Sequence, residues 1–219
     1  MNIHEELGSV FDSNPSWRIL LIGGVSGVGK SFLAQHISRH SGISVMQVDD
    51  IRLALQSVTT LDQQPGLHFF VNSDLIAKEG IWSLNPEQLC EGLITVGQIV
   101  SKALLRVIGH HVATDSPLII EGDGILPSIV ERIDFGIREK VSTVFLVEPD
   151  ERMILNNMIE RGRGFEEANV SEQQTQAKMN WLFGQHIQRE AGRLQLPILP
   201  PRPYSTLNER ALRLLKFNY

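Results

Sequence analysis

Lys30 and Ser31 are the first neighbouring side chains in this sequence that could do chemistry together, because of what precedes them: Gly23-Gly24-Val25-Ser26-Gly27-Val28-Gly29. Glycine costs conformational entropy wherever it is ordered, so four glycines within residues 23–31 need a local reason. They let the backbone curl until successive N–H groups point inward, a concavity that fits phosphate oxygens. A helix starting near Lys30 would add its positive dipole end. Lys30 can then reach the β- and γ-phosphates of a nucleotide, and the Ser31 hydroxyl can ligate Mg²⁺. The phosphate cradle expected from this spacing is Gly24, Val25, Ser26, Gly27, Val28, Gly29, Lys30, Ser31 and Phe32.

A second set of candidates is acidic. Val48-Asp49-Asp50-Ile51-Arg52 follows an apolar run. A carboxylate there can accept or orient the proton of an attacking hydroxyl, a role given to Asp49. Arg52, one turn into a helix, can hold an anionic substrate group bidentately, with Asp50 beside it. Glu121 and Asp123 end another apolar run; Glu121 is assigned to the acceptor and Asp123, with Ser31, to the metal, although the spacing leaves the two carboxylates interchangeable. Arg161 and Arg163, in Arg161-Gly162-Arg163-Gly164, can swing over the phosphates and neutralise charge that develops in phosphoryl transfer. Lys102 and Arg106 extend a polar stripe with Thr95 and Gln98, which is either a solvated face or a strip facing the acceptor.

These residues need elements to bring them together. Residues 17–22 form an apolar run like a strand buried on both faces, and 31–37 read as a helix with Leu33, Ala34 and Ile37 on one side. The glycine loop joins the two, which is the context that makes a P-loop credible. Further strands are expected at 43–48, 117–120, 141–147 and 198–199. Asp49-Asp50 closes the first of these, and the next helix starts at Ile51. A helix opens at Asn85-Pro86 and runs to about His110. Asp150 caps a helix to about Glu160. Ser171-Glu172-Gln173-Gln174 and Thr206-Leu207-Asn208-Glu209 read as capping boxes of two more. Strands alternating with helices imply a parallel sheet covered on both faces, with ligands outside the carboxyl ends of its strands. That rule gathers the glycine loop, Asp49, Asp50, Arg52, Glu121 and Asp123 at one crevice.

Other classes of P-loop protein lack their marks here. There is no Asn-Lys-x-Asp for guanine, no Leu-Ser-Gly-Gly of transporters, and no strand ending in Asp-Glu. Asp134-Phe135-Gly136 spells a protein-kinase metal tripeptide without the rest of that machinery, and reads as coincidence. Residues 23–31, 48–52 and 118–122, with the helix Glu91 to Arg106 leading into the third strand, resemble 2-phosphoglycerate kinase. The resemblance implies a nucleoside-monophosphate-kinase-like fold: a three-layer α/β sandwich of the P-loop NTPase class with a five-stranded parallel sheet. A helical cap insertion (57–113) and an arginine-bearing lid (161–170) complete it. It also implies ATP as donor and a small anionic acceptor such as 2-phosphoglycerate. By the same resemblance Asp49 and Arg52 fall on an Asp-x-Ile-Arg pattern, from which Asp50 departs. Asp-Asp-x-Arg also resembles the kinase part of polynucleotide kinases. A nucleoside, a sugar or a polynucleotide 5′ end therefore stays open as acceptor, and so does a nucleotide switch without one.

Composition narrows the partners. The net charge is −5 and no basic block occurs, which argues against extended nucleic-acid binding. Cys90 is the only cysteine, so an intrachain disulfide is impossible. No apolar stretch is expected to reach a membrane span, and residues 1–14 read as a short acidic leader without signal-peptide character, so a cytoplasmic location is expected. His36 and His40 have a metal-binding spacing but no third ligand. Pro197, Pro200, Pro201 and Pro203 mark either a rigid reversal or the loop beside the nucleobase. The sequence leaves the oligomeric state open.

Overall fold

The protein is described here by a computed structural model over residues 17–71, 80–162 and 169–217. The expected leader and Arg163 lie outside the described residues. Strands β1 (Ile19–Gly24), β2 (Val45–Gln47), β3 (Leu118–Glu121), β4 (Val141–Leu146) and β5 (Ile198–Leu199) form one all-parallel sheet in the order β2-β3-β1-β4-β5. β1 lies at the centre, with Ile22 beside Glu121 and Gly24 beside Leu146. Every residue of β1 and β3 is buried, which is why both read as unbroken apolar runs rather than alternating ones.

Eight α-helices are described: α1 (Lys30–Ser41), α2 (Val48–Ser57), α3 (Pro86–Ala113), α4 (Ile129–Arg132), α5 (Phe135–Arg138), α6 (Glu151–Arg161), α7 (Val170–Arg193) and α8 (Leu207–Phe217). α1 packs on β1, β2 and β3 next to α8, which covers β4. α3 packs on β1 and against α7, which also touches β5, and α6 lies against α7. The result is the expected three-layer sandwich on a five-stranded parallel sheet.

Local chemistry sets several boundaries. α1 stops at Gly42, whose φ of 70° suits a residue without a Cβ penalty. α3 starts with a capping box in which the Asn85 side chain accepts from the Gln88 amide and the Gln88 side chain accepts from the Asn85 amide. Two expected boxes are absent as drawn. Asn169, not Ser171, caps α7 by accepting from the Glu172 amide, because the helix begins one residue before Ser171. Thr206 Oγ1 donates to the Pro203 carbonyl and accepts from Arg210 Nε, so it braces the preceding turn instead.

Three further expectations need correction. Asp49 and Asp50 do not end a strand: β2 is only residues 45–47, and both acids lie in the first turn of α2, where they complement its dipole. α3 is long and apolar enough to cross a membrane, yet ten of its residues are buried, and it packs against the sheet and α7. Residues 86–113 of the expected cap insertion are thus a main layer of the body. Residues 129–138, unassigned from sequence, form α4 and α5. Asp134 caps α5, and Phe135 is 88% exposed before the start of β4, at the end of the sheet opposite the glycine loop.

Candidate active site

The glycine loop occupies the carboxyl end of β1. Gly24 has φ +138°, and a Cβ there would lie 2.2 Å from the Leu146 carbonyl oxygen, so only glycine lets β1 turn out of the sheet beside β4. Val25 and Val28 are fully buried and anchor the loop from below. Lys30, 7% exposed at the first position of α1, donates from Nζ to the Val25 carbonyl at 2.6 Å and pairs with the Asp123 carboxylate. Ser31 Oγ donates to Glu121 Oε1 at 2.9 Å.

Glu121 is the last residue of β3 and is 4% exposed. Burial pushes its carboxyl above the ordinary carboxylate range; the Ser31 hydrogen bond and the Lys30 charge oppose the shift, and Asp123 and Asp49 add to it. Gly122 follows at φ +155°, and a Cβ there would lie 2.7 Å from Val48 Cβ. The missing side chain lets α2 begin against the end of β3, which brings Asp49 to the same cleft as Glu121.

That cleft has a volume of about 680 Å³. It gathers Ser26, Gly27, Gly29, Lys30, Ser31, Phe32, Asp49, Glu121, Asp123 and Arg161 from the sequence-derived set. Arg161, the last residue of α6, donates from Nη1 to Ser26 Oγ at 3.0 Å, which places a guanidinium against the loop tip. Gly24, Val25 and Val28 shape the loop from behind and do not line the cleft. Asp50 and Arg52 do not line it either: Arg52 donates to Asp49 Oδ1 from Nε at 3.3 Å and from Nη2 at 3.1 Å. Lys102 and Arg106 are exposed on α3 and are not part of the cleft wall.

Several lining or supporting residues carried no site role in the sequence reading. Asn157 lies one turn before Arg161 on α6, a spacing that could have flagged the two as one face. Asn157 Nδ2 donates to the Tyr204 hydroxyl at 2.9 Å, and that hydroxyl donates to the Gly27 carbonyl at 3.4 Å. Burial and the nearby Glu148 charge push the Tyr204 phenol up, so it stays a neutral hydroxyl able to donate and accept. Tyr204 is carried by the proline-rich segment after β5, which includes a cis Arg202–Pro203 peptide. Gln35 and Gln47 face the cleft beside Phe32 and Asp49. Asn180, buried in α7, accepts from the Ser26 amide at 3.3 Å.

Hard oxygen donors fit Mg²⁺ here: Ser31 Oγ with the Glu121 and Asp123 carboxylates nearby. Among the described residues no three His, Cys, Asp or Glu side chains form a self-sufficient metal site. Mg²⁺ is commonly held by one or two protein oxygens, with substrate phosphates and water completing the shell.

The comparisons agree with this frame. No protein-family model matches the chain. It is 29% identical to the 2-phosphoglycerate kinase of Methanothermobacter thermautotrophicus over 139 residues, which is 62% of this chain and 44% of that one. It is 30% identical to the 2-phosphoglycerate kinase of Pyrococcus horikoshii over 114 residues, covering 52% and 37% respectively. The chain thus spans less than half the length of the curated relatives it matches. Among solved structures, a gluconokinase from Sinorhizobium meliloti superposes with a TM-score of 0.51 at 14% identity, over 94% of each chain. A sulfotransferase domain from the curacin biosynthetic pathway gives 0.50 at 12% identity, over 94% of this chain and 74% of that one. The fold is therefore the α/β fold of P-loop proteins, and the sequence is similar to 2-phosphoglycerate kinases. Since both a kinase and a sulfotransferase share the fold, the fold alone does not choose the group transferred.

Proposed function

We propose that the protein is an ATP- and Mg²⁺-dependent phosphotransferase that moves the γ-phosphoryl group to a hydroxyl of a small metabolite. The observation that carries this reading is the convergence on one cleft of Lys30 and Ser31, Glu121 and Asp123, Asp49, and Arg161. The backbone N–H groups of the loop and Lys30 would bind the phosphates. Lys30 would exchange Asp123 for phosphate oxygens as the nucleotide enters. Mg²⁺, where Ser31 and Glu121 would hold it, would neutralise charge on the β- and γ-phosphates. This turns the sequence assignment of Glu121 toward the metal and leaves Asp123 as the partner of Lys30. Asp49 would accept or orient the acceptor's proton, and Arg161 would leave Ser26 for the transferring phosphoryl group. Most of the rate gain would come from positioning and charge stabilisation.

The names of the sequence relatives put 2-phosphoglycerate first among acceptors to test. The test is ADP release by the purified protein with ATP, Mg²⁺ and 2-phosphoglycerate, beside parallel reactions with glycerate, gluconate, nucleosides and polynucleotide 5′ ends. Release that depends on 2-phosphoglycerate supports the full reading. Release with another hydroxyl compound alone keeps the kinase reading and removes that acceptor. Slow release that no acceptor stimulates argues for a nucleotide switch.

A further inference from the structure

Helix α7 buries Ala177, Met179, Phe183, Gly184, Ile187 and Ala191 against the sheet and its neighbours, and among these apolar positions it buries Asn180 at 3% exposure. A buried amide is unfavourable unless its donors and acceptor find partners. Here they do. Asn180 Nδ2 donates to the Gln176 carbonyl at 2.9 Å and lies 3.7 Å from Met158 Sδ on α6. Asn180 Oδ1 accepts from the Ser26 amide at 3.3 Å. The orientation of the amide follows from chemistry, because the Ser26 N–H requires an acceptor and the Gln176 carbonyl requires a donor.

Ser26 is the tip of the phosphate loop, directly before Gly27, whose φ is 78°. A glycine-rich loop has little stiffness of its own. Its N–H groups bind phosphate well only if they are already aimed, since ordering them on binding would cost affinity. The Ser26 side chain is also the partner of Arg161. One residue of the loop is thus gripped from two directions: by α7 through its amide and by the end of α6 through its hydroxyl. Through Met158, Asn180 also touches the last turn of α6, the turn that carries Arg161.

We propose that Asn180 is a positioning residue for nucleotide binding: it acts through the Ser26 amide to hold the loop tip in its phosphate-binding shape, and through Met158 to keep α6 and Arg161 in register with that tip. The inference rests on the nucleotide-binding reading above and adds a residue outside the glycine motif to it. It separates Asn180 from the rest of the α7 face, whose members serve packing alone.

The test compares wild type, Asn180→Leu and Ile187→Val. Leucine matches the amide in size and removes the acceptor; Ile187 is fully buried on the same helix and serves as a packing control. Two quantities are read: the Kd for ATP with Mg²⁺ by calorimetry, and hydrogen exchange at the Ser26 amide without nucleotide. Asn180→Leu is expected to weaken ATP about tenfold, the scale of one lost hydrogen bond to a group that must stay fixed. It should also speed Ser26 exchange. Ile187→Val should lower Tm and change neither reading. Unchanged ATP affinity in Asn180→Leu, or an equal loss in Ile187→Val, overturns the proposal and leaves the kinase reading standing. Wild-type protein that binds no ATP overturns both. The wild-type exchange experiment holds even if Asn180→Leu fails to fold: a Ser26 amide that exchanges as fast as an open loop overturns the proposal.

Discussion

Arg202→Ala should destabilise the protein more than Glu148→Gln, although both break the same ion pair. Glu148 lies just past β4 with its side chain 1% exposed. Its Oε1 accepts from Arg202 Nη2 at 2.8 Å and from the Asp150 amide at 3.1 Å, while Oε2 is buried without a hydrogen-bond partner among the described residues. Arg202 is 33% exposed, so water can serve it if the carboxylate is neutralised. Removing Arg202 strands a buried charge, which typically costs about 3–5 kcal/mol; partial water access through the vacated space puts the expectation at about 3 kcal/mol. Glu148→Gln keeps an acceptor for Asp150 and should cost about 1–2 kcal/mol. At about 2–4 °C per kcal/mol for a chain of this size, these become Tm losses of about 6–12 °C and about 2–8 °C. Thermal unfolding followed by circular dichroism reads this directly. A loss in Glu148→Gln equal to or larger than that in Arg202→Ala would refute the reasoning. Arg202 also leads into Pro203 and Tyr204, whose hydroxyl touches Gly27, so Arg202→Ala should raise the KM for ATP as well.

Asp49→Asn should lower phosphoryl transfer by about 10²-fold or more with little change in ATP affinity, whereas Asp50→Asn, outside the cleft, should matter less; steady-state kinetics giving the reverse ranking would show the wrong carboxylate was chosen. Glu121 binds its proton more tightly folded than unfolded, because burial raises its carboxyl above the ordinary 4.5. The stability it contributes is present when it is protonated and is lost as pH rises through the raised value. Glu121→Gln should therefore be more resistant to urea than wild type at neutral pH, yet need about 10–100-fold more Mg²⁺ to bind ATP. A variant that is weaker in urea, or that binds Mg²⁺ and ATP normally, would contradict this placement of Glu121.

The sequence carried the parts of the site that are local in the chain. The loop from Gly24 to Ser31 is legible because its glycines answer backbone demands, and β1 and β3 are legible because fully buried parallel strands read as apolar runs. The boundary at Asp49 was misplaced because β2 is only three residues long and helix propensity cannot show where a short edge strand stops. The reading of Asp134-Phe135-Gly136 as coincidence fits its place, since Phe135 is exposed just before β4, at the end of the sheet opposite the glycine loop. Tyr204 and Asn180 were invisible for a different reason. Each meets the loop only through tertiary packing, 154 positions away in the case of Asn180 and Ser26, and no local pattern encodes such a contact. The pairing of Lys30 with Asp123 and of Ser31 with Glu121 likewise depends on the register that sets Glu121 beside Ile22.

The proposed reaction is transfer of the γ-phosphoryl group from ATP to a hydroxyl acceptor at the Lys30 cleft. The most direct measurement follows radiolabelled γ-phosphate from ATP in wild type and Lys30→Ala, with Mg²⁺ and the same set of acceptors. Label is expected to appear in a phosphate ester of one acceptor with wild type, and not with Lys30→Ala, while both proteins show the same far-ultraviolet circular dichroism. Label found only in inorganic phosphate whatever the acceptor, or equal transfer by the two proteins, would contradict it.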